Sequence, residues 1–321
     1  MVVWALSKYA CLPAYGAATR LFNLARNFQE NGHETLLLTS DANHLADFPK
    51  SKKIYNHENI NGLKVCWIKT KKYSRTASIS RLLSWLDFEC KLFCLPRKSF
   101  HKPDIIIVSS LSLLSIIYGY FLKKRYNSTL VFEIRDIWPL TMTEEGGFSS
   151  WHPLVLLLGM VEKFGYKKAD LIVGTMPRLD LHVREILGHD RPFFCSPIGY
   201  SKESKSASLS NLGKLDLESY FPKDKIIVGY CGSMGISNAL DTLIRCIEML
   251  DEHPDVHFVL VGDGDLRKKY MLRLALSANA TFVPRVPPTE VPHFLALCDI
   301  LYLSTHNSKV WRFGQSMNKF V

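Results

Sequence analysis

The chain has 321 residues, of which 47% are hydrophobic, 12% aromatic and 22% charged. This balance is typical of a globular protein of about two domains, and it argues against a disordered chain, a collagen or a small disulfide scaffold. Its 40 Lys and Arg residues against 30 Asp and Glu residues give a formal net charge of +10. Residues 1–200 carry 26 basic and 17 acidic side chains, whereas residues 201–321 carry 14 and 13. The N-terminal part is therefore predicted to meet its partner with a positive face.

The eight cysteines are scattered and include no CxxC pair. Most lie in apolar runs, where a reduced cysteine packs as a small hydrophobic side chain. We therefore expect buried, reduced thiols rather than a disulfide framework or a metal site. His253 and His257 are four residues apart, but Pro254 lies between them, so no metal pair is expected there either.

Short apolar runs alternate with amphipathic stretches through the first half of the chain, which predicts a parallel sheet with helices on both faces. Strands are predicted at residues 2–6, 35–39, 64–70, 104–108, 130–134 and 171–174, and helices at residues 16–30, 76–95, from 111 onward and 152–167. Asn31 and Gly32 are expected to end the first helix.

Residues 105–122 form a run of 18 uncharged residues followed by three basic ones. Its length and flanking charge fit a short membrane span. The β-branched run at residues 105–108, followed by a helical pattern, fits a buried strand and a helix instead. We favour the strand and helix.

Residues 199–224 are rich in serine and lysine and break the alternating pattern, which predicts a linker between two domains. Strands are then predicted at residues 226–230, 257–261, 281–283 and 300–304, and helices at residues 239–250 and after residue 265. The predicted organisation is a first α/β domain at residues 1–198, the linker, and a second α/β domain at residues 225–321. Two doubly wound domains of this kind would face each other across a cleft.

Two glycine-rich turns follow neighbouring strands of the second domain. One is Gly232-Ser233-Met234-Gly235, and the other is Gly262-Asp263-Gly264. Glycines between a strand and a helix let backbone N–H groups approach an anion at the positive end of the helix. The pattern is neither a Walker loop nor a GxGxxG fingerprint, and a plain glycine turn explains each motif equally well. Two such turns at one sheet edge favour a phosphate or nucleotide site.

The first domain offers two matching features. Gly16 lies in a loop after the first strand, and Glu133, Arg135 and Asp136 stand at the end of an apolar strand. Three ionisable groups within four residues at a strand end fit a polar site, and a structural salt bridge is the alternative. The basic clusters of this domain lie in loops without a nucleic-acid-binding module, so no nucleic acid is expected.

Several segments together resemble the family-four retaining glycosyltransferases, which have the GT-B architecture of two Rossmann-like domains. Residues 132–139, FEIRDIWP, are similar to the form found in the bacterial WbuB-like branch, linked to O-antigen and capsule assembly. The other matching segments are YGAATR at 15–20, GHE at 32–34, YCGSMG at 230–235, VGDG at 261–264, VP at 286–287, EVP at 290–292 and FGQSMNKF at 313–320.

The resemblance implies transfer of a sugar from a nucleotide sugar, commonly UDP-linked, to a glycan or a lipid-diphosphate-linked acceptor. It implies no cofactor and no metal. The residues expected at the donor are Gly16, Gly232, Ser233, Gly235, Gly262, Gly264, Arg285, Ser316, Asn318 and Lys319. Those expected at the reacting sugar, as catalytic residues, are Glu133, Arg135 and Asp136. Many relatives have a histidine in place of Arg135, and no protein nucleophile is assigned.

The sequence departs from the family after Val321, where an acidic residue for the donor ribose and a Gly-Lys-Pro turn are expected. We therefore expect the second domain to be incomplete and these 321 residues to have impaired activity. The alternatives are a nucleotide-sugar 2-epimerase of the same fold and an inactive remnant that binds a membrane or a partner. The expected location is the cytoplasm, with the basic, aromatic first domain held at the anionic inner face of the cytoplasmic membrane.

Overall fold

A computed structural model describes residues 1–12, 19–42, 51–73, 79–199, 216–235, 238–287 and 290–314. The chain divides into two compact units. The first comprises Met1–Ile198 and Arg312–Ser316, and the second comprises Gly199–Trp311 and Met317–Val321. Each unit is an α/β structure built on its own sheet, as the alternating pattern predicts.

The first unit contains eight strands in one sheet and six helices among its described residues. The strands are β1 (Val2–Leu6), β2 (Glu34–Ser40), β3 (Tyr55–Ile60), β4 (Leu63–Ile68), β5 (Ile105–Ser109), β6 (Thr129–Ile134), β7 (Leu171–Gly174) and β8 (Phe193–Cys195). The helices are α1 (Arg20–Glu30), α2 (Ile79–Phe93), α3 (Ser115–Tyr126), α4 (Leu140–Glu144), α5 (Pro153–Lys168) and α6 (Leu179–Leu187).

The strand order in this sheet is β3-β4-β2-β1-β5-β6-β7-β8, and every pair is parallel except β3 with β4. All six predicted strands of this half are present, within two residues at either end. The pattern did not predict β3, β8, α4 or α6. Because the strand carboxyl ends of the parallel part share one edge, the loops after β1, β5 and β6 lie at that edge.

The antiparallel pair β3–β4 closes one side of the sheet as a hairpin. Ile60 faces Leu63 across a two-residue turn in which Asn61 has φ 50° and Gly62 has φ 92°. This Asn-Gly turn matches the twist of the flanking strands, because both residues tolerate positive φ. The three central residues of β3 are exposed, so β3 is a polar edge strand and its missing apolar alternation explains why it was not predicted.

Helices cover both faces of the first sheet. Helix α1 packs Leu21, Phe22 and Ala25 onto the face that carries Val3 and Ala5. Helices α3 and α5 pack on the opposite face, each at a glycine that lets helix and sheet approach closely. A Cβ on Gly119 would lie 2.6 Å from Val108 Cγ2, and a Cβ on Gly165 would lie 2.6 Å from Phe132 Cε1. The doubly wound prediction is confirmed for this unit.

The uncharged run at residues 105–122 forms strand β5, a short 3₁₀ turn and most of helix α3. This outcome confirms the strand-and-helix prediction. Across the described residues, no helix is long and apolar enough to cross a membrane.

The second unit contains a smaller, fully parallel sheet of order β11-β10-β9-β12. Its strands are β9 (Ile226–Cys231), β10 (Val256–Val261), β11 (Ala280–Val283) and β12 (Ile300–Leu301), and its helices are α7 (Asp241–Met249), α8 (Arg267–Arg273) and α9 (Val291–Ala296). Strand β12 is two residues long, shorter than the predicted strand at residues 300–304.

Two apolar cores lie on opposite faces of this second sheet. On one face, Tyr230 and Phe258 pack against Leu243 and Ile244 of α7. On the other face, Phe294 of α9 packs with a cluster of buried residues from β9, β10 and β11. Leu217, within the predicted linker, is 3% exposed and belongs to this second core. The end of the Ser/Lys-rich stretch therefore packs on the second unit.

The cysteines correct one expectation. All eight are free, but only two are buried, Cys11 and Cys66, where burial raises the pKa of each thiol to about 11 and about 12. Cys90 and Cys94 are exposed. They lie on and just after the outer side of α2, at helical spacing of four, and their apolar neighbours in sequence do not cover them.

Candidate functional site

The predicted glycine turns lie at the carboxyl edge of the second sheet. Strands β9 and β10 are parallel neighbours, with Cys231 opposite Val261. The turn at Gly232 follows the first of these strands and the turn at Gly262 follows the second, so the two turns are side by side. This juxtaposition is the one expected from strand order in an open α/β sheet.

The two turns interlock through their backbones. Gly262 has φ +139° and Gly264 has φ +154°, a region that side chains rarely adopt. A Cβ on Gly262 would lie 1.9 Å from the carbonyl oxygen of Gly232, and a Cβ on Gly264 would lie 2.7 Å from the carbonyl carbon of Met234. Only glycine fits at either position. The glycines are therefore required for packing one turn against the other.

Hydrogen bonds fix the first turn and leave part of it open. The Gly232 amide donates to Val261 O at 3.0 Å, and the Met234 amide donates to Asp263 O at 2.9 Å. Tyr230 Oη donates to Ser233 O at 2.6 Å. Within the described residues, the amides of Ser233 and Gly235 have no protein acceptor. Gly232 therefore shapes the turn, whereas Ser233 and Gly235 can offer N–H groups to an anion.

The other predicted donor residues are placed only in part. Arg285 is exposed two residues after the end of β11, the strand next to β10, so it lies at the same sheet edge as the two turns. Gly16, Ser316, Asn318 and Lys319 lie outside the described residues.

In the first unit, Glu133 is held by an ion pair. Arg20 Nε donates to Glu133 Oε1 at 2.8 Å, and both side chains are buried. The same guanidinium donates to the carbonyl oxygens of Ser196 and Pro197, at 2.7 and 2.6 Å. Arg20 thus ties the end of β6 to the segment after β8. Glu133 therefore makes a structural salt bridge, the alternative to a polar site for this strand end. A buried pair of this kind is costly to break.

Arg135 and Asp136 have different surroundings from Glu133. Ser110 Oγ accepts from the amide of Arg135 at 2.9 Å, which anchors the loop to the end of β5. Burial lowers the pKa of the Arg135 guanidinium, and its Nε has no hydrogen-bond acceptor among the described residues. Asp136 is exposed to solvent, yet the protein around it desolvates the carboxyl and raises its pKa, an effect that Arg135 opposes. The two side chains therefore form a polar pair at the carboxyl edge of the first sheet.

The sequence patterns assign no role to Arg20, although it lies in the YGAATR segment at residues 15–20. Lys8 and Glu89, two ionisable groups beside the same sheet edge, are likewise not identified by the sequence patterns. Lys8 is 1% exposed, and nothing in the local sequence signals that burial. Among the described residues, no cluster of three or more His, Cys, Asp or Glu side chains could hold a metal ion.

Comparison with known proteins bears on both units. The chain has the GT-B fold, two α/β units each built on a mainly parallel sheet, which its structural neighbours share. It is similar to sucrose-phosphate synthase from Thermosynechococcus elongatus, with a TM-score of 0.68 and 14% identity over 96% of this chain and 76% of that chain. It is also similar to WaaG, a glycosyltransferase involved in lipopolysaccharide biosynthesis, with a TM-score of 0.57 and 14% identity over 95% and 75% of the two chains.

A third neighbour is HepE from Anabaena, solved in complex with UDP-glucose. Its TM-score is 0.54, with 14% identity over 95% of this chain and 74% of that chain. Residues 215–311 match the family described as "Glycosyl transferases group 1". No curated protein matches the chain. The family match covers the second unit's two glycine turns and Arg285.

Proposed function

We propose that this protein is a glycosyltransferase that moves a sugar from a UDP-linked donor to an acceptor hydroxyl. The observation that carries the proposal is the pair of interlocked glycine turns inside the segment that matches the group 1 glycosyltransferases. The amides of Ser233 and Gly235, which have no acceptor within the described residues, and Arg285 at the same sheet edge suit a diphosphate. The binding of UDP and UDP-glucose by HepE, a protein of the same fold, supports this choice of donor.

In the proposed reaction, the bond between the anomeric carbon and the diphosphate oxygen breaks, and a bond to the acceptor oxygen forms. UDP leaves with an added negative charge on the phosphate oxygen, and the acceptor hydroxyl gives its proton to that oxygen or to water. N–H donors and a cation at the diphosphate stabilise that developing charge. Arg135 and Asp136 are proposed to contact the reacting sugar, while Glu133 holds their loop through Arg20. Neither residue is assigned as a nucleophile, and no metal or cofactor is invoked.

The acceptor is proposed to be lipid-linked and to serve surface polysaccharide assembly of the O-antigen or capsule type. Helix α2 supports a membrane location, because Ile79, Leu83, Leu86 and Phe93 recur at spacings of three, four and seven and are each at least 42% exposed. An exposed apolar stripe on a basic unit suits an anionic lipid surface, here the inner face of the cytoplasmic membrane. WaaG, similar in fold, is described as acting in lipopolysaccharide biosynthesis.

The test is UDP binding measured by calorimetry. Arg285→Gln should weaken UDP binding at least about tenfold, because charge-assisted hydrogen bonds to phosphate contribute about 1.5–3 kcal/mol. Arg245→Gln is the matched control, since Arg245 is an exposed arginine on α7 of the same unit. Equal UDP affinity for both variants would contradict the donor site, and epimerisation of UDP-N-acetylglucosamine without an acceptor would favour the epimerase.

A further inference from the structure

The outer side of helix α5 is apolar although it faces solvent. The inner side of this helix is buried on the first sheet. On the outer side, Leu156 is 47% exposed, Leu157 is 48% exposed and Met160 is 64% exposed. Residues 146–161 contain no Lys, Arg, Asp or Glu. Because a helix that is apolar on all sides is normally buried, the outer side of α5 is expected to be covered in the assembled protein.

Neighbouring side chains extend this apolar surface. Trp151, just before α5, is 81% exposed, and Phe148 is 41% exposed. Helix α3 packs beside α5 through the edge-to-face rings of Tyr120 and Phe164, whose centroids are 5.2 Å apart, and Ile117 on α3 is 42% exposed. Tryptophan, phenylalanine and methionine are enriched in the centres of protein–protein interfaces. We call this surface the α5 face; it consists of Ile117, Phe148, Trp151, Leu156, Leu157 and Met160.

The two ends of the α5 face carry charges of opposite sign. Glu144 is exposed at the end of α4, and the Phe148 amide donates to a carbonyl oxygen of α4 at 3.1 Å, which closes the loop between them. The Phe148 ring contacts His152, the residue that caps the N-terminus of α5. Glu144 therefore lies near the N-terminal end of α5. Lys163 and Lys167 are exposed at its C-terminal end.

This charge arrangement fits a second copy of the same chain. A twofold axis through the middle of α5 would place two copies of the helix antiparallel, so Glu144 of each copy would face Lys163 of the other. The uncharged centre with charges at the rim is the usual composition of a protein interface. An anionic lipid surface would attract the lysines but repel Glu144, and no basic group lies along residues 146–161 to meet lipid headgroups.

We propose that this protein forms a twofold-symmetric dimer through the α5 face. Leu157 and Met160 would pack at the centre of the interface, and two Glu144–Lys163 ion pairs at the rim would fix its register. The α5 face lies in the first unit, whereas the glycine turns of the donor site lie in the second unit. The dimer therefore does not depend on the proposed transfer reaction, and either can fail without the other.

The first test is the mass of the protein in solution, measured by analytical ultracentrifugation over a range of concentrations. Wild type should have twice the mass of one chain. Leu157→Glu together with Met160→Glu should raise the dissociation constant of the dimer at least about thirtyfold, because it would bury charges at the centre of the interface. Leu272→Glu together with Leu276→Glu is the matched control, at two exposed leucines of the second unit, and should not change the dissociation constant.

Exchanging the rim charges tests the antiparallel arrangement. Glu144→Lys would place lysine opposite lysine, and Lys163→Glu would place glutamate opposite glutamate. Each variant alone should dimerise about tenfold more weakly, because both symmetric ion pairs become repulsive. A mixture of the two variants restores both opposite-charge pairs. Native mass spectrometry of this mixture should show heterodimers with an affinity close to that of wild type.

Thermal unfolding of every variant separates loss of the dimer from loss of the fold. A wild type that stays monomeric at about 100 μM would overturn the proposal. Equal dissociation constants for the α5 double variant and its control, or a mixture that forms no heterodimers, would overturn it as well. A monomeric wild type whose binding to phosphatidylglycerol vesicles is lost in the α5 double variant would assign the α5 face to lipid instead.

Discussion

Gly262 makes the closest backbone approach among the described glycines, and its replacement tests the interlock of the two turns. Gly262→Ala should cost more than about 2 kcal/mol, because its Cβ would meet the Gly232 carbonyl oxygen at 1.9 Å and because φ is +139°. Gly235→Ala is the control in the same unit. Its Cβ would meet only Ser233 Oγ, at 3.4 Å, so its cost should be within about 1 kcal/mol. Urea unfolding measures both, and equal costs would contradict the interlock.

Glu89 should leave a signature in the dependence of stability on pH. Its pKa is raised from 4.5 to about 8 in the folded state, so the folded protein binds more protons than the unfolded chain between those values. The Glu89 contribution to the free energy of unfolding therefore falls as pH rises from about 4.5 to about 8, by on the order of a few kcal/mol. Glu89→Gln should remove this fall.

The measurement is denaturant unfolding of wild type and Glu89→Gln from pH 5 to pH 9. The variant should gain stability relative to wild type as pH increases and reach a constant difference above about pH 8. Lys8 contributes in the opposite direction in both proteins. Its lowered pKa means that the unfolded chain binds more protons between about pH 7 and pH 10.5, so its unfavourable contribution to the free energy of unfolding diminishes as pH rises through that range. A difference that does not change with pH would contradict the buried, protonated state of Glu89.

At the scale of elements, the outer face of α2 is proposed to bind lipid. Leu83→Glu together with Leu86→Glu should reduce binding to vesicles containing phosphatidylglycerol at least tenfold, because the change removes apolar area and adds negative charge. Stability should change little, since both side chains are already exposed. Leu276→Glu is the control, at a leucine that is 99% exposed in the second unit. Vesicle co-sedimentation measures the binding of each protein. An equal loss of vesicle binding in the double variant and in the Leu276→Glu control would contradict a lipid-binding role for the apolar residues of α2.

The elements also show what sequence patterns can and cannot predict. Buried parallel strands such as β5 and β10 were predicted because a short apolar run rich in β-branched residues is typical of a strand covered on both faces. Strand β3 was not predicted, because its exposed face is polar. The Asn61-Gly62 pair that follows it is a strong hairpin signal and could have identified it. Helix α6 was not predicted either, although its sequence is amphipathic and Gly188, with φ 78°, follows its last residue.

Those parts of the candidate site that lie directly after a strand could be predicted from the sequence. The glycine turns and Arg135 were expected there, because chain position after an apolar run determines the sheet edge. The interlock of Gly262 with Gly232 was not, since it depends on the register of two strands distant in sequence. Lys8 and Glu89 were not expected either, because their burial depends on packing between α2 and the loops after β1 and β5.

At the scale of the whole molecule, bound UDP should leave its footprint in the second unit. UDP should slow hydrogen exchange at Gly232–Gly235 and Gly262–Gly264, and exchange around Glu89 and Trp138 should stay unchanged. Each ligand protects what it binds, and a ligand at 100 times its Kd stabilises its site by about 2.7 kcal/mol. Exchange measured by mass spectrometry with and without UDP tests this. Protection by UDP that leaves Gly232–Gly235 and Gly262–Gly264 unchanged would contradict the donor site.

The polar edge strand β3 also affects the tendency of the chain to aggregate during folding and at high protein concentration. Without β3, the sheet would end at β4, whose residues are buried at five of six positions and would present open N–H and C=O groups to any other strand. Strand β3 hydrogen-bonds to these groups of β4 and presents three exposed polar residues, His57, Glu58 and Asn59, to solvent. The other edge strand, β8, has only three residues. Both edges are thus poor templates for a second copy, so a unit rich in apolar strands is protected against edge-to-edge aggregation.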